Sequence, residues 1–213
     1  MRTGALSWNN CQLKQNKRLT ICKTKGEAKP IKSKTLFLTR AALLAAVMCI
    51  LAPISIPIGP VPITLGVFAV MLAGTILNWK EAGAAVLVYL LLGVIGLPVF
   101  SSGKSGPAVL VGPTGGYLWT FLIMAIIIAL FSEKDRGNRV LETVLAAAGC
   151  LIALLVCYFF GTIQFMHVAS YDLKSALAVC VYPFIPVDIA KAVVASVLGI
   201  QIRSRLRKVG IGK

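Results

Sequence analysis

Acidic residues are scarce in this chain. Seven Asp and Glu stand against 22 Lys and Arg among 213 residues, and charged side chains of both signs make up only 14%. A water-soluble domain of this length needs far more charge on its surface, so the shortage excludes an ordinary soluble globular fold. Histidine occurs once, at His167, with no acid at helical spacing. That leaves too few ligands for a metal centre and no base for a Ser-His-Asp triad. Cys11, Cys22, Cys49, Cys150, Cys157 and Cys180 form no C-x-x-C pair and read as packing residues. Gly103-Lys104-Ser105 resembles the end of a phosphate-binding loop, but the required first glycine is Pro98 and the segment follows an apolar helix, so a nucleotide site is excluded. The first 34 residues are polar and basic without an apolar h-region, so no signal peptide is expected.

What the chain has instead is apolar length. Hydrophobic residues make up 58% and the mean hydropathy is +0.86. Uncharged stretches run from Ala41 to Trp79, Ala82 to Gly103, Ser105 to Ser132 and Thr143 to Tyr171. About 20 apolar residues cross a hydrocarbon layer of roughly 30 Å as a helix, which makes this an all-α integral membrane protein. Proline and glycine clusters divide the stretches into six expected spans: Leu36–Pro53, Ile63–Asn78, Ala82–Val99, Gly115–Phe131, Glu142–Phe165 and Pro186–Ile202. The expected organisation is a flexible basic cytoplasmic extension at 1–34, a transmembrane domain at 35–208 and a short tail at 209–213.

Charge distribution orients the spans. With both termini in the cytoplasm, all but three of the 22 Lys and Arg residues fall in the tails, beside Arg40, or in the connections Asn78–Glu81 and Ser132–Arg139. The exceptions are Lys104 and Lys174 in outward connections and Lys191 within the last span. This asymmetry follows the positive-inside rule, and the basic clusters suit contact with anionic membrane lipids.

Two outward connections stand out. Pro53–Pro62 holds four prolines and no charge, so it neither continues a helix nor resembles a solvated loop, and is expected to fold back over the helix ends. Phe100–Pro107 and Val111–Tyr117 are glycine-rich. They read either as tight turns or as backbone brought close to a bound molecule.

Asp188 and Lys191 lie in the first turns of the last span, after Pro183 and Pro186. Each ion costs roughly 2.5 to 3.5 kcal/mol near the centre of a spanning helix. Their i to i+3 spacing places them on one face, near the outer surface in this topology. One reading is a carboxylate favoured by the helix N-terminus in a local salt bridge. The other is a ligand site in which the carboxylate accepts from N–H donors and the ammonium meets an anion. In the first span, Ala41 with Ala45 and Ala42 with Ala46 form small-xxx-small faces, suited to internal packing or to a partner helix.

Three ordered segments resemble the BioY family, the biotin-specific substrate-binding (S) components of energy-coupling factor (ECF) transporters. They are Ile54–Leu65 (ISIPIGPVPITL), Leu90–Phe100 leading to Gly112–Leu118 (GPTGGYL), and Phe184–Ala192 (FIPVDIAKA), within a likeness covering Thr35 to Lys208. The resemblance implies an S-component-like six-helix bundle in a bacterial cell membrane that captures biotin from outside and carries it across. It implies that Asp188 meets the ureido ring and that Lys191 pairs with the valerate carboxylate. It implies that Thr64, Tyr89, Thr114, Gly115, Gly116 and Tyr117 complete the substrate site. It further implies that Ala41, Ala42, Ala45 and Ala46 dock on a transmembrane coupling subunit, T, bound to two ABC-type ATPases, with no cofactor and no catalytic site in this chain. Gly66, Val187 and Trp119-Thr120 depart from the usual pattern.

Alternatives in other classes remain at this point. A proton-coupled carrier of a small carboxylated solute would use Asp188 as its relay, although no inverted repeat is visible. An S component for another vitamin is a second alternative. A membrane enzyme lacks a nucleophile and base pair. Nucleic-acid binding by the basic tail lacks aromatic interleaving apart from Trp8.

Overall fold

The apolar stretches fold as helices wherever proline does not interrupt them. The computed structural model describes residues 33–58, 60–133 and 137–208. The chain divides into two units, Met1–Leu36 and Phe37–Lys213, and of the first only Ser33 to Leu36 are described. Most of the expected basic extension, the 209–213 tail and residues 134–136 of the charged connection therefore lie outside the described residues.

In order the elements are α1 (Ser33–Leu51), β1 (Ser55–Ile56), β2 (Ile63–Thr64), α2 (Gly66–Ile76), α3 (Trp79–Ile95), a 3-10 turn at Ser101–Gly103, α4 (Pro107–Val111), α5 (Gly115–Ser132), α6 (Arg139–Ala169), α7 (Leu173–Cys180) and α8 (Ile185–Lys208). Among the described residues, four helices are long and apolar enough to cross a membrane, at Lys34–Leu51, Gly115–Ser132, Arg139–Ala169 and Ile185–Lys208, and Gly66–Ile76 is a shorter apolar helix.

Local chemistry moves several boundaries from their expected places. The second apolar run begins as strand: Ser55 pairs with Thr64 and Ile56 with Ile63, antiparallel. Pro57, Pro60 and Pro62 offer no N–H to a helix, so helix starts only at Gly66. α3 starts at Trp79 because Glu81 Oε2 accepts the Asn78 N–H at 3.4 Å, and it stops before Gly96, whose φ of 115° suits glycine. α6 starts where Asn138 Oδ1 accepts the Val140 N–H at 3.0 Å, and ends at Ser170 in the left-handed region. At 31 residues it is about 46 Å long, more than a hydrocarbon layer needs. α8 runs past Ile202 to Lys208, because Arg205, Arg207 and Lys208 favour the negative end of the helix dipole.

Small residues let the helices approach. α2 and α8 meet where Thr75 lies against Gly199, a spot in which any Cβ would overlap the Thr75 hydroxyl. Ala69, Val70, Met71, Ala85, Val86, Met124, Ala125, Ile128, Ala153 and Ala195 form the buried centre shared by α2, α3, α5, α6 and α8. The outward faces carry Leu43, Ile50, Leu155, Phe159 and Val193, all exposed, as helices surrounded by lipid require. Two ion pairs lie at one end: Arg40 with Glu81 at 3.3 Å and Arg207 with Glu142 at 3.5 Å. Buried Arg203 donates there to the Thr75 and Glu133 carbonyls at 3.4 Å and to Asn78 Oδ1 at 3.1 Å. This end lies roughly 22 Å along α8 from Asp188, at 1.5 Å per residue.

Candidate functional site

Pro186 falls in the first turn of α8, where its missing N–H would have had no helical partner in any case. The helix thereby begins just ahead of Asp188 and brings that carboxylate into the bundle, where the residue is 2% exposed. Lys191 follows one turn on. Its ammonium donates to Asp188 Oδ1 at 2.9 Å and to the Thr64 carbonyl at 2.8 Å. The second carboxylate oxygen, Oδ2, accepts the Tyr158 hydroxyl at 2.8 Å. The i to i+3 salt bridge is therefore present, and both of its residues also line a cavity.

That cavity takes in about 790 Å³ of space between atoms, a figure that includes its open mouth. Its walls are mostly apolar, with Val61, Val67, Leu118, Phe121, Leu154 and Phe184 prominent. Asp188, Lys191 and Tyr158 are concentrated on one side, and Ser101, Lys104, Thr64, Thr114, Tyr89 and Tyr117 also line it. A few polar groups in an apolar enclosure fix a ligand's orientation, because each buried polar atom demands a partner.

The cover is built from the proline-rich segment. The β1–β2 hairpin sends Val61 and Ile63 against Phe165 of α6, Ala176 and Cys180 of α7, and Phe184, forming a second apolar cluster. The Thr64 carbonyl that receives Lys191 sits on the same hairpin, so one ammonium ties α8 to the cover. Ser55 Oγ and Ser102 Oγ, 2.9 Å apart, join the hairpin to the 3-10 turn.

The expected site residues divide into two groups. Asp188, Lys191, Thr64, Tyr89, Thr114 and Tyr117 line the cavity. The Tyr89 hydroxyl donates to the Val99 carbonyl at 3.2 Å and its ring meets Phe100 edge-on at 5.8 Å, so it braces the wall. Gly115 and Gly116 are not on the cavity lining. A Cβ on Gly115 would overlap the Leu110 carbonyl, and one on Gly116 would come within 2.9 Å of Gln164 Cβ and of the Phe160 carbonyl. Their role here is close packing of α5 on α6 and α4, locked by Gln164 Nε2, which donates to the Leu110 and Gly112 carbonyls at 2.9 Å each. In α1, Ala41 and Ala45 are buried in the bundle, whereas Ala42 and Ala46 are exposed.

Tyr158 is the main residue that the sequence reading missed. A phenol inside an apolar run has a polar tip needing a partner, but Tyr171 and Tyr182 carry the same signal elsewhere. Ser101 and Lys104 also line the cavity without having been expected there, Lys104 having drawn notice only for its charge and for the rejected phosphate-loop pattern.

Comparison with known proteins points in one direction. Residues 23–208 match the BioY family. "Biotin transporter BioY2" of Lactococcus lactis subsp. cremoris is 39% identical over 170 residues, covering 80% of this chain and 91% of that protein. "Biotin transporter BioY" of Thermotoga maritima is 40% identical over 167 residues, covering 78% and 95%. Among solved structures, the S-component for biotin from an ECF-type ABC transporter superposes with a TM-score of 0.73 at 31% identity, covering 83% of this chain and 95% of that one.

Proposed function

The chain belongs to the BioY family, and from that premise we propose that it is the biotin-specific S subunit of an ECF-type importer. It is a multi-pass protein of a bacterial cell membrane that binds biotin and carries it across. The observation that carries the site assignment is the Asp188 carboxylate, held by Lys191 and Tyr158 inside an apolar cavity. A ureido group offers N–H donors beside a carbonyl acceptor. Asp188 accepts the donors, and Lys191 keeps one N–H beyond its two bonds for the carbonyl.

In this reading the spans are α1, α2, α3, α5, α6 and α8, with both termini in the cytoplasm. The cavity then opens outward under the hairpin, and the Arg203 end faces the cytoplasm, in keeping with the positive-inside rule. The domain boundaries follow: a basic extension at 1–34, the biotin-binding bundle at 35–208 and the tail at 209–213. The chain performs no catalysis and takes no cofactor. Energy comes from two ABC-type ATPases through a coupling subunit T, which docks on α1. Of the four alanines in that helix, the exposed Ala42 and Ala46 are the ones free to meet it. Anionic lipids meet the basic cytoplasmic ends.

Reconstitution separates this from the proton-coupled alternative. Proteoliposomes holding the chain with a coupling subunit and ATPases should accumulate biotin only with ATP. Accumulation by the chain alone under a proton gradient would favour the carrier.

A further inference from the structure

Lys191 is poorly placed to hold the ligand's carboxylate. Its ammonium is engaged by Asp188 Oδ1 at 2.9 Å and by the Thr64 carbonyl at 2.8 Å. The two charges of the pair offset each other, so an anion arriving there meets repulsion from Asp188 nearly equal to its attraction to Lys191. The ligand itself imposes a second constraint. Biotin's ureido and carboxylate ends are separated by the bicyclic ring and the valerate chain, so both ends cannot occupy one pair whose opposed atoms are 2.9 Å apart.

A second cation lines the same cavity. Lys104 is exposed, and its ammonium has no ion-pair partner among the described residues. Three residues before it, Ser101 also lines the cavity, and its hydroxyl is buried with no hydrogen-bond partner. A buried unpaired hydroxyl is costly, and a ligand acceptor would relieve it.

The turn that carries both is fixed. Phe100 N–H donates to the Lys104 carbonyl at 3.1 Å, Gly103 N–H to the Phe100 carbonyl at 3.0 Å, and Lys104 N–H to the Ser101 carbonyl at 3.3 Å. The Ser55–Ser102 contact ties it to the hairpin, and Phe100 is fully buried against Tyr89. A site set in place before binding loses less freedom when the ligand arrives.

Resting on the biotin reading, we propose that Ser101 and Lys104 form the anion subsite of this cavity. They receive the ligand's carboxylate at the mouth, while Asp188, Lys191 and Tyr158 hold its neutral ureido end. Lys191 then acts as a clamp between α8 and the hairpin, in place of the carboxylate partner expected from the resemblance. Because Lys104 is solvent-exposed, its contribution should weaken with salt.

Calorimetry with biotin and its uncharged amide, biotinamide, tests the assignment on the wild type, Lys104→Met and Lys104→Arg. The wild type should prefer biotin, and Lys104→Met should lose roughly threefold to tenfold of its biotin affinity together with most of that preference. Lys104→Arg should retain the preference, and added salt should narrow it. Equal losses for both ligands in Lys104→Met, or no loss for either, would overturn the proposal. A wild type that binds neither ligand would instead reject the biotin reading itself, and the subsite with it.

Discussion

Tyr158 donates its hydroxyl proton to Asp188 Oδ2 at 2.8 Å, from the middle of α6 to the first turn of α8. The bond places a phenol where one oxygen of a buried carboxylate would otherwise lack a donor. Tyr158→Phe should therefore leave the ion pair with Lys191 but let the carboxylate rotate. We expect a loss on the order of 1 kcal/mol in biotin binding, roughly fivefold in affinity, with a small change in thermal midpoint. Titration calorimetry and thermal unfolding of the same detergent-solubilised sample would check both.

Asp188→Asn keeps the shape of the side chain and removes its charge. Hydrogen bonds to a charged group contribute about 1.5 to 3 kcal/mol, so biotin affinity should fall roughly tenfold to a hundredfold. The folded state should suffer less, because the amide oxygen still accepts from Lys191. A variant that binds biotin normally would return the pair to the role of a local salt bridge at a helix start.

Glycines at the helix contacts should differ in their tolerance of a side chain, according to position. A Cβ on Gly161 would overlap the Tyr117 ring, whereas one on Gly83 would meet nothing nearer than Ile126 Cγ1 at 3.7 Å. Gly161→Ala should cost about 1 to 3 kcal/mol of stability and weaken biotin binding, since Tyr117 lines the cavity. Gly83→Ala should be neutral or stabilising, as helix propensity favours alanine. Thermal unfolding of the two variants side by side gives the contrast.

The faces of α1 should separate folding from assembly. Ala45 is buried and Ala46 is exposed. Ala46→Leu should preserve biotin binding while reducing co-purification with the coupling subunit and ATPases. Ala45→Leu should lower the thermal midpoint, because the added volume has no room in the bundle. Equal assembly by the wild type and Ala46→Leu would remove this face from the partner interface.

Apolar length made the helical membrane architecture legible, since a bilayer demands long runs and the helices fill them. Asp188 and Lys191 were legible for the same reason, as ions that lipid does not tolerate without a partner. The hairpin was not, because Ile63-Thr64 reads as the start of an apolar run, and only pairing across the proline-rich turn makes it strand. α7 was hidden in a connection too short to span a membrane. Gly115 and Gly116 announced close approach without saying to what, and the answer is Leu110, Phe160 and Gln164. Tyr158 looked like any other aromatic residue in a membrane helix until α8 was set beside it.

On its own, this chain should bind biotin in the cavity beneath the hairpin. Titrating biotin into the purified protein, with Asp188→Asn in parallel, tests it most directly. The wild type should show saturable binding below micromolar concentration, and the variant a markedly weaker isotherm. Absence of saturable binding by the wild type in that range would contradict it.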